Sequence, residues 1–129
     1  MTSLRGFGLA GTKITDAGLE HLKGMTSLET LILTNTQIAD AGLKHLAVLA
    51  DLKILNLGDT QVTDTGLEHL IGLANLEELC LYDTHITDDG LEHLEGLTTL
   101  RKLDLFNTQV TDSGVQKLQE ALPDCNIRH

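Results

Sequence analysis

Four histidines recur 24 residues apart, at His21, His45, His69 and His93. A column of imidazoles could share a metal ion or titrate together near neutral pH. Stacked helices lie about 8–10 Å apart. Zinc needs its nitrogens at about 2.0–2.1 Å, and no third ligand of fixed geometry accompanies these rings. Each histidine follows an inward leucine by two residues, which turns it away from a helix core. The column reads as a partly exposed surface ladder, and no metal is assigned. The two cysteines, Cys80 and Cys125, give no disulfide framework. In a stack they fall about two repeats apart, roughly 9–10 Å at ordinary strand spacing, which is beyond the span of a disulfide. Both are expected to be free thiols, as in a reducing compartment. Cys80 as a nucleophile would need an adjacent histidine. The nearest in sequence, His85, falls in the loop after the strand, so an ordinary thiol is expected.

Carboxylates crowd one stretch: Glu77, Glu78, Asp83, Asp88, Asp89, Glu92 and Glu95. A solvated face is the simplest reading, with a contact for a basic partner as the alternative. Asp88-Asp89-Gly90 lacks the alternating oxygen ligands and terminal Glu of a calcium loop. There is no serine elbow, phosphate-cradling glycine loop, HExxH or CxxC motif. No catalytic residue and no cofactor are assigned, and an enzyme is not expected. The net charge of −10, from 9 basic and 19 acidic residues, repels phosphate backbones and anionic lipid. No apolar run reaches the length of a membrane span. Nucleic acid and membranes are therefore not expected partners. Met1–Gly6 lacks the charged and apolar regions of a signal peptide, so a cytoplasmic location is expected.

The positions that remain must be held by a scaffold, and its period is the same 24 residues. Leu4, Leu28, Leu52, Leu76 and Leu100 form one series, starting five repeats. Phe7, Leu31, Leu55, Leu79 and Leu103 form a second, and Leu9, Leu33, Leu57, Leu81 and Leu105 a third. Such a period marks stacked supersecondary units in one domain of 129 residues. In the unit Leu52–Asn75, alternation at Leu55 and Leu57 gives a short half-buried strand. Thr63 and Asp64 suit a helix N-cap, and Leu67, Leu70 and Leu73 line one helical face. Each unit is thus strand, loop, short helix, loop, and none can bury its apolar side alone. The final helical column, Met25, Leu49, Leu73 and Leu97, ends in Ala121 or Leu122. A partial capping repeat over 122–129 follows, in which Cys125 or Ile127 lids the last full unit. Strands pack closer than helices, so the stack bends with strands on the concave side.

Two polar columns have structural explanations. Thr12, Thr36, Thr60, Thr84 and Thr108 follow the strand, where hydroxyls are expected to satisfy the next repeat's backbone. Gly18, Gly42, Gly66, Gly90 and Gly114 lie just inside the helix, where glycine costs about 1 kcal/mol. Their recurrence implies close backbone approach or an unusual φ.

The run L-x-x-L-x-L-x-x-T-x-[IV]-[TA]-D-x-G-[LV]-x-x-L, seen from Leu76 through Leu94, resembles a leucine-rich repeat. It is similar to the 24-residue bacterial T-D-x-G-L subclass, including the GALA type, and more loosely to the ribonuclease-inhibitor-like branch. The likeness covers about residues 4–122 and departs in placing Thr where most such repeats carry Asn or Cys. It implies a right-handed α/β solenoid, a horseshoe arc with a parallel concave sheet and convex helices. It also implies binding of a protein on the concave face, without catalysis.

Outward strand positions then become the binding candidates: Ile32, Ile54, Asn56, Glu78, Cys80, Tyr82, Lys102, Asp104 and Phe106. Tyr82 and Phe106 share a column and form a plausible anchor for a partner. The alternative is a structural module that oligomerises through its N-terminal edge, giving a homodimer. That reading follows from Met1-Thr2-Ser3-Leu4 entering a repeat directly, as in a short natural protein, an excised piece or an engineered array.

Overall fold

The computed structural model describes residues 4–129. Met1, Thr2 and Ser3, where the sequence reading places the entry into the first repeat, lie outside the described residues. Each repeat opens with a three-residue strand: β1 (Gly6–Gly8), β2 (Thr30–Ile32), β3 (Ile54–Asn56), β4 (Glu78–Cys80) and β5 (Lys102–Asp104). A sixth, β6 (Asn126–Arg128), follows. All six pair in parallel in chain order. The register advances one period per strand, so Phe7, Leu31, Leu55, Leu79, Leu103 and Ile127 stand side by side.

The return segment of each repeat is helical but short. Single α-turns at α1 (Asp40–Leu43), α2 (Asp64–Leu67) and α3 (Asp88–Leu91) continue as 3-10 turns ending at Leu46, Leu70 and Leu94. Repeat 1 has only a 3-10 segment, Ala17–Leu22, whereas α4 (Asp112–Ala121) is a full helix. The chain is an α/β solenoid arc, with the parallel sheet on one side and the helices on the other. Its core is the set of aliphatic columns between them, with Leu31, Leu55, Leu70 and Leu81 among the members at 0% exposure. Burial weakens in the first repeat: Leu4 is 38% exposed, and Phe7, Leu9, Ile14 and Met25 are only partly buried. At the other end Leu122 completes the helical column, Cys125 is buried and Ile127 packs against the core.

The threonine column works differently from the expectation. Each hydroxyl donates within its own repeat, three residues back: Thr36 to Leu33 O and Thr60 to Leu57 O at 2.7 Å, and Thr84 to Leu81 O at 2.6 Å. The cause is the residue just before each of them. Asn35, Asp59, Asp83 and Asn107 have φ between 53° and 57°, a left-handed turn that Asn and Asp tolerate best among residues other than glycine. That turn folds the threonine back over the carbonyl of the residue that follows the strand. The next repeat is met by main chain instead, as when Asp59 N–H donates to Tyr82 O at 2.9 Å.

The T-D-x-G signature is an inter-repeat staple. Thr63 sits at the N-cap of α2 in extended conformation, and Asp64 is the first helical residue. The Asp64 carboxylate reaches forward into repeat 4, where Thr87 donates both its N–H, at 2.8 Å, and its hydroxyl. Asp40 takes Thr63 in the same way, and Asp88 takes Thr111 at 2.8 and 2.6 Å. Glycine makes room for this carboxylate. A Cβ on Gly66 or Gly90 would lie 2.3 Å from the Oδ1 of Asp40 or Asp64. Of the two explanations open for the glycine column, close approach holds, since none of its members has a positive φ.

The staple leaves a titration signature at Asp88. Hydrogen bonds from the Thr111 hydroxyl and then the Thr111 N–H hold its carboxyl below the usual 3.8, with burial opposing weakly. A depressed folded-state value stabilises the fold above the unfolded value. That contribution is lost as pH falls through the folded one. In a carboxyl-carbon NMR titration, Asp88 is expected to titrate below 3.8, and Thr111→Val to move its midpoint upward. An unmoved midpoint would contradict the hydroxyl's role.

Candidate binding surface

Outward side chains of the sheet form rows across the strands. One row reads Thr30, Ile54, Glu78, Lys102, Asn126, and the next Ile32, Asn56, Cys80, Asp104, Arg128. A third row lies just beyond the strand ends, at Thr34, Gly58, Tyr82 and Phe106. Over β1–β3 the rows are small or uncharged, and Ile32, Ile54 and Asn56 are half-buried. Asn56 is turned to its own backbone, its Oδ1 accepting from Gly58 N–H at 2.9 Å.

Over β4–β6 the rows grow tall and charged. Lys102 faces Glu78 at 3.8 Å, and Arg128 faces Asp104 at 3.3 Å. Both pairs are solvent-exposed and add little stability. Asp104 also accepts from Phe106 N–H at 3.0 Å. Glu78, Lys102, Asp104 and Arg128, with Cys80 and Asn126, line a shallow depression of about 320 Å³. Burial chiefly, then the Asp104 and Glu78 carboxylates, push the Cys80 thiol up, with Lys102 opposing. Cys80 is thus a neutral thiol at pH 7, poorly suited to nucleophilic attack.

The structure places the two aromatic residues in one row but engages each with a different neighbour. The Tyr82 ring lies over Gly58, where a Cβ would approach its Cζ to 2.3 Å. The Phe106 ring is 49% exposed, and the Arg128 guanidinium stacks on it at 4.7 Å from the centroid. Arg128 is the residue that sequence reasoning missed, because the rows were followed only as far as repeat 5. The same 24-residue step from Asp104 would have reached it.

A family model described as leucine-rich repeat matches residues 24–47, 49–70 and 96–118, together more than half of the chain. The chain belongs to the leucine-rich repeat family. Domains of this family commonly mediate protein–protein interaction and are typically non-enzymatic scaffolds. A search of curated proteins finds no match. Among solved structures, a leucine-rich repeat protein of Leptospira interrogans shares the fold at 22% identity and a TM-score of 0.80, over 99% of this chain and 32% of that one. Internalin C2 of Listeria monocytogenes is similar at 28% identity and a TM-score of 0.67, over 95% of this chain and 60% of that one. An internalin (inlF) of the same organism gives 22% and 0.57, over 98% and 48%. The chain therefore spans between about a third and three fifths of the proteins it resembles.

On the helical side of this leucine-rich repeat protein, His45, His69 and His93 are half-buried and His21 is exposed. Among the described residues no three His, Cys, Asp or Glu side chains converge as a metal site. The carboxylates of repeat 4 divide. Asp88 is used in its staple, Asp83 accepts from Asn107 at 2.7 Å, and Glu92 pairs with Lys117 at 3.9 Å. Cys80 and Cys125 are free.

Proposed function

We propose that this chain is a protein-binding scaffold whose partner docks on the strand face, centred on β4–β6. The observation that carries the reading is Phe106, the large apolar side chain most exposed on that face, set beside Tyr82 and clasped by Arg128. Aromatic and Arg side chains are enriched at binding interfaces and their hot spots. The 24-residue T-D-x-G-L signature supports a place in the bacterial, GALA-like subclass. A second reading is favoured by the partly exposed Leu4, Phe7, Leu9 and Ile14: a module that self-associates through the edge of β1.

One set of proteins tests both. A partner captured by the wild type is expected to lose at least tenfold in affinity to Phe106→Ala/Tyr82→Ala, with the fold intact by circular dichroism. Unchanged affinity in the folded double variant would overturn the anchor. A concentration-dependent dimer in light scattering, lost on Phe7→Lys and kept in the double variant, would establish self-association instead.

A further inference from the structure

The five repeats look alike in sequence, but the joints between them are unequal. At the joints to repeats 3, 4 and 5, an Asp carboxylate receives both the N–H and the hydroxyl of a threonine. At the joint to repeat 2 the threonine is replaced by Ala39, and Asp16 receives only its N–H, at 2.8 Å. Ala39 otherwise has the same extended backbone as Thr63 and the same bridge to the following repeat, so only the hydroxyl is missing.

Three further features weaken the same joint. Residues 1–24 hold Gly6, Gly8, Gly11, Gly18 and Gly24 of the chain's 12 glycines, which raises the entropy lost when that repeat is ordered. Gly6 and Gly8 put no side chain on the outer face of β1, so no cross-strand pair forms there. The return segment of repeat 1 is 3-10 throughout, with poorer hydrogen-bond geometry than the α-turns of its successors. The far end is clamped. The Gln119 side-chain amide donates to both Leu122 O and Cys125 O.

In a stacked array each unit is held by its own stability plus that of its interfaces. We propose that repeat 1 is a separable coil: it swings open as a unit on the Lys23–Ser27 connection while repeats 2–5 stay folded, uncovering the edge of β2. Opening breaks a defined set of hydrogen bonds. Leu9 and Gly11 N–H donate to Ile32 O and Thr34 O, and Glu29 and Thr30 N–H both donate to Arg5 O. Their counterparts two joints further in are Leu57, Asp59, Glu77 and Glu78.

Site-resolved amide hydrogen exchange on the 129-residue chain reads both sets. Leu9, Gly11, Glu29 and Thr30 are expected to exchange at least about tenfold faster than Leu57, Asp59, Glu77 and Glu78, with a weaker urea dependence. They are also expected to outpace Leu105 and Asn126, which bond across β5 and β6 at the opposite end. Ordinary fraying would loosen both ends alike. Ala39→Thr restores the missing hydroxyl and is expected to slow the first set about threefold to tenfold, leaving the second set unchanged. Equal exchange of the two sets, or equal slowing of both by Ala39→Thr, would overturn the proposal. So would exchange at Leu105 and Asn126 as fast as at Leu9 and Gly11.

Discussion

Gly90→Ala is expected to destabilise the protein by about 2–4 kcal/mol, although alanine is the better helix former by about 1 kcal/mol. The new Cβ would stand 2.3 Å from Asp64 Oδ1, 3.0 Å from Asp64 Cγ and 3.1 Å from Leu67 Cδ1. The carboxylate must then leave, and with it go the hydrogen bonds from the N–H and hydroxyl of Thr87. Bonds to a charged group contribute about 1.5–3 kcal/mol each, so their loss outweighs the helical gain. Urea unfolding at neutral pH measures the difference. The argument makes a sharper demand in the Asp64→Ala background. There the carboxylate is already gone, and Gly90→Ala is expected to be near neutral or stabilising. An equal cost in both backgrounds would show that the clash lies elsewhere.

Leu55→Ala is expected to cost about 3–5 kcal/mol, at the upper end for a truncated core leucine. Leu55 is fully buried and stands between Leu31 and Leu79 in the same row, so its cavity cannot drain to the surface. The surrounding strands are fixed in register on both sides and have little room to collapse. Leu4, the first member of the neighbouring column of Leu28, Leu52 and Leu76 and 38% exposed, is expected to cost under about 1 kcal/mol when truncated to Ala. Denaturant midpoints give both values, provided the slope is unchanged. A reduced slope in Leu55→Ala would mean that the repeats on either side no longer unfold together. A cost below about 1 kcal/mol would contradict a continuous column.

The apolar columns were legible because burial is a property of residue type, and a fixed period repeats the same signal in every unit. Leu31, Leu55, Leu79 and Leu103 could be paired before any coordinates, since one registered strand dictates the rest. The polar columns were legible as structural but not in their connections. A threonine's position does not say whether its hydroxyl turns to its own repeat or the next. The left-handed turns at Asn35, Asp59, Asp83 and Asn107 decide that, and the pattern of Asn and Asp there was available but unread. The same holds for the glycines: recurrence left close backbone approach and an unusual φ both open, and only the fold shows that an Asp carboxylate from the preceding repeat fills the space. The outward residues were placed in rows correctly by alternation, but their engagements depend on side-chain direction. Nothing in the spacing of Tyr82 and Phe106 announces that one ring covers Gly58 while the other carries Arg128.

The staple runs in one direction, from each Asp to the N-cap that follows it, a threonine at three joints and Ala39 at the first. Asp112 is met by the His129 ring at 3.1 Å. Donor and acceptor are thus offset by a whole unit, as in a chain of identical links. A tandem duplication of 24 residues, placed anywhere in the series, keeps every link matched to its neighbour. One of 23 or 25 puts an Asp one position out of step with the N-cap it must meet. A stack of this kind is therefore extended without a mismatch by whole multiples of one length, and the bond that sets the count is the one from each Asp to the N-cap that follows it.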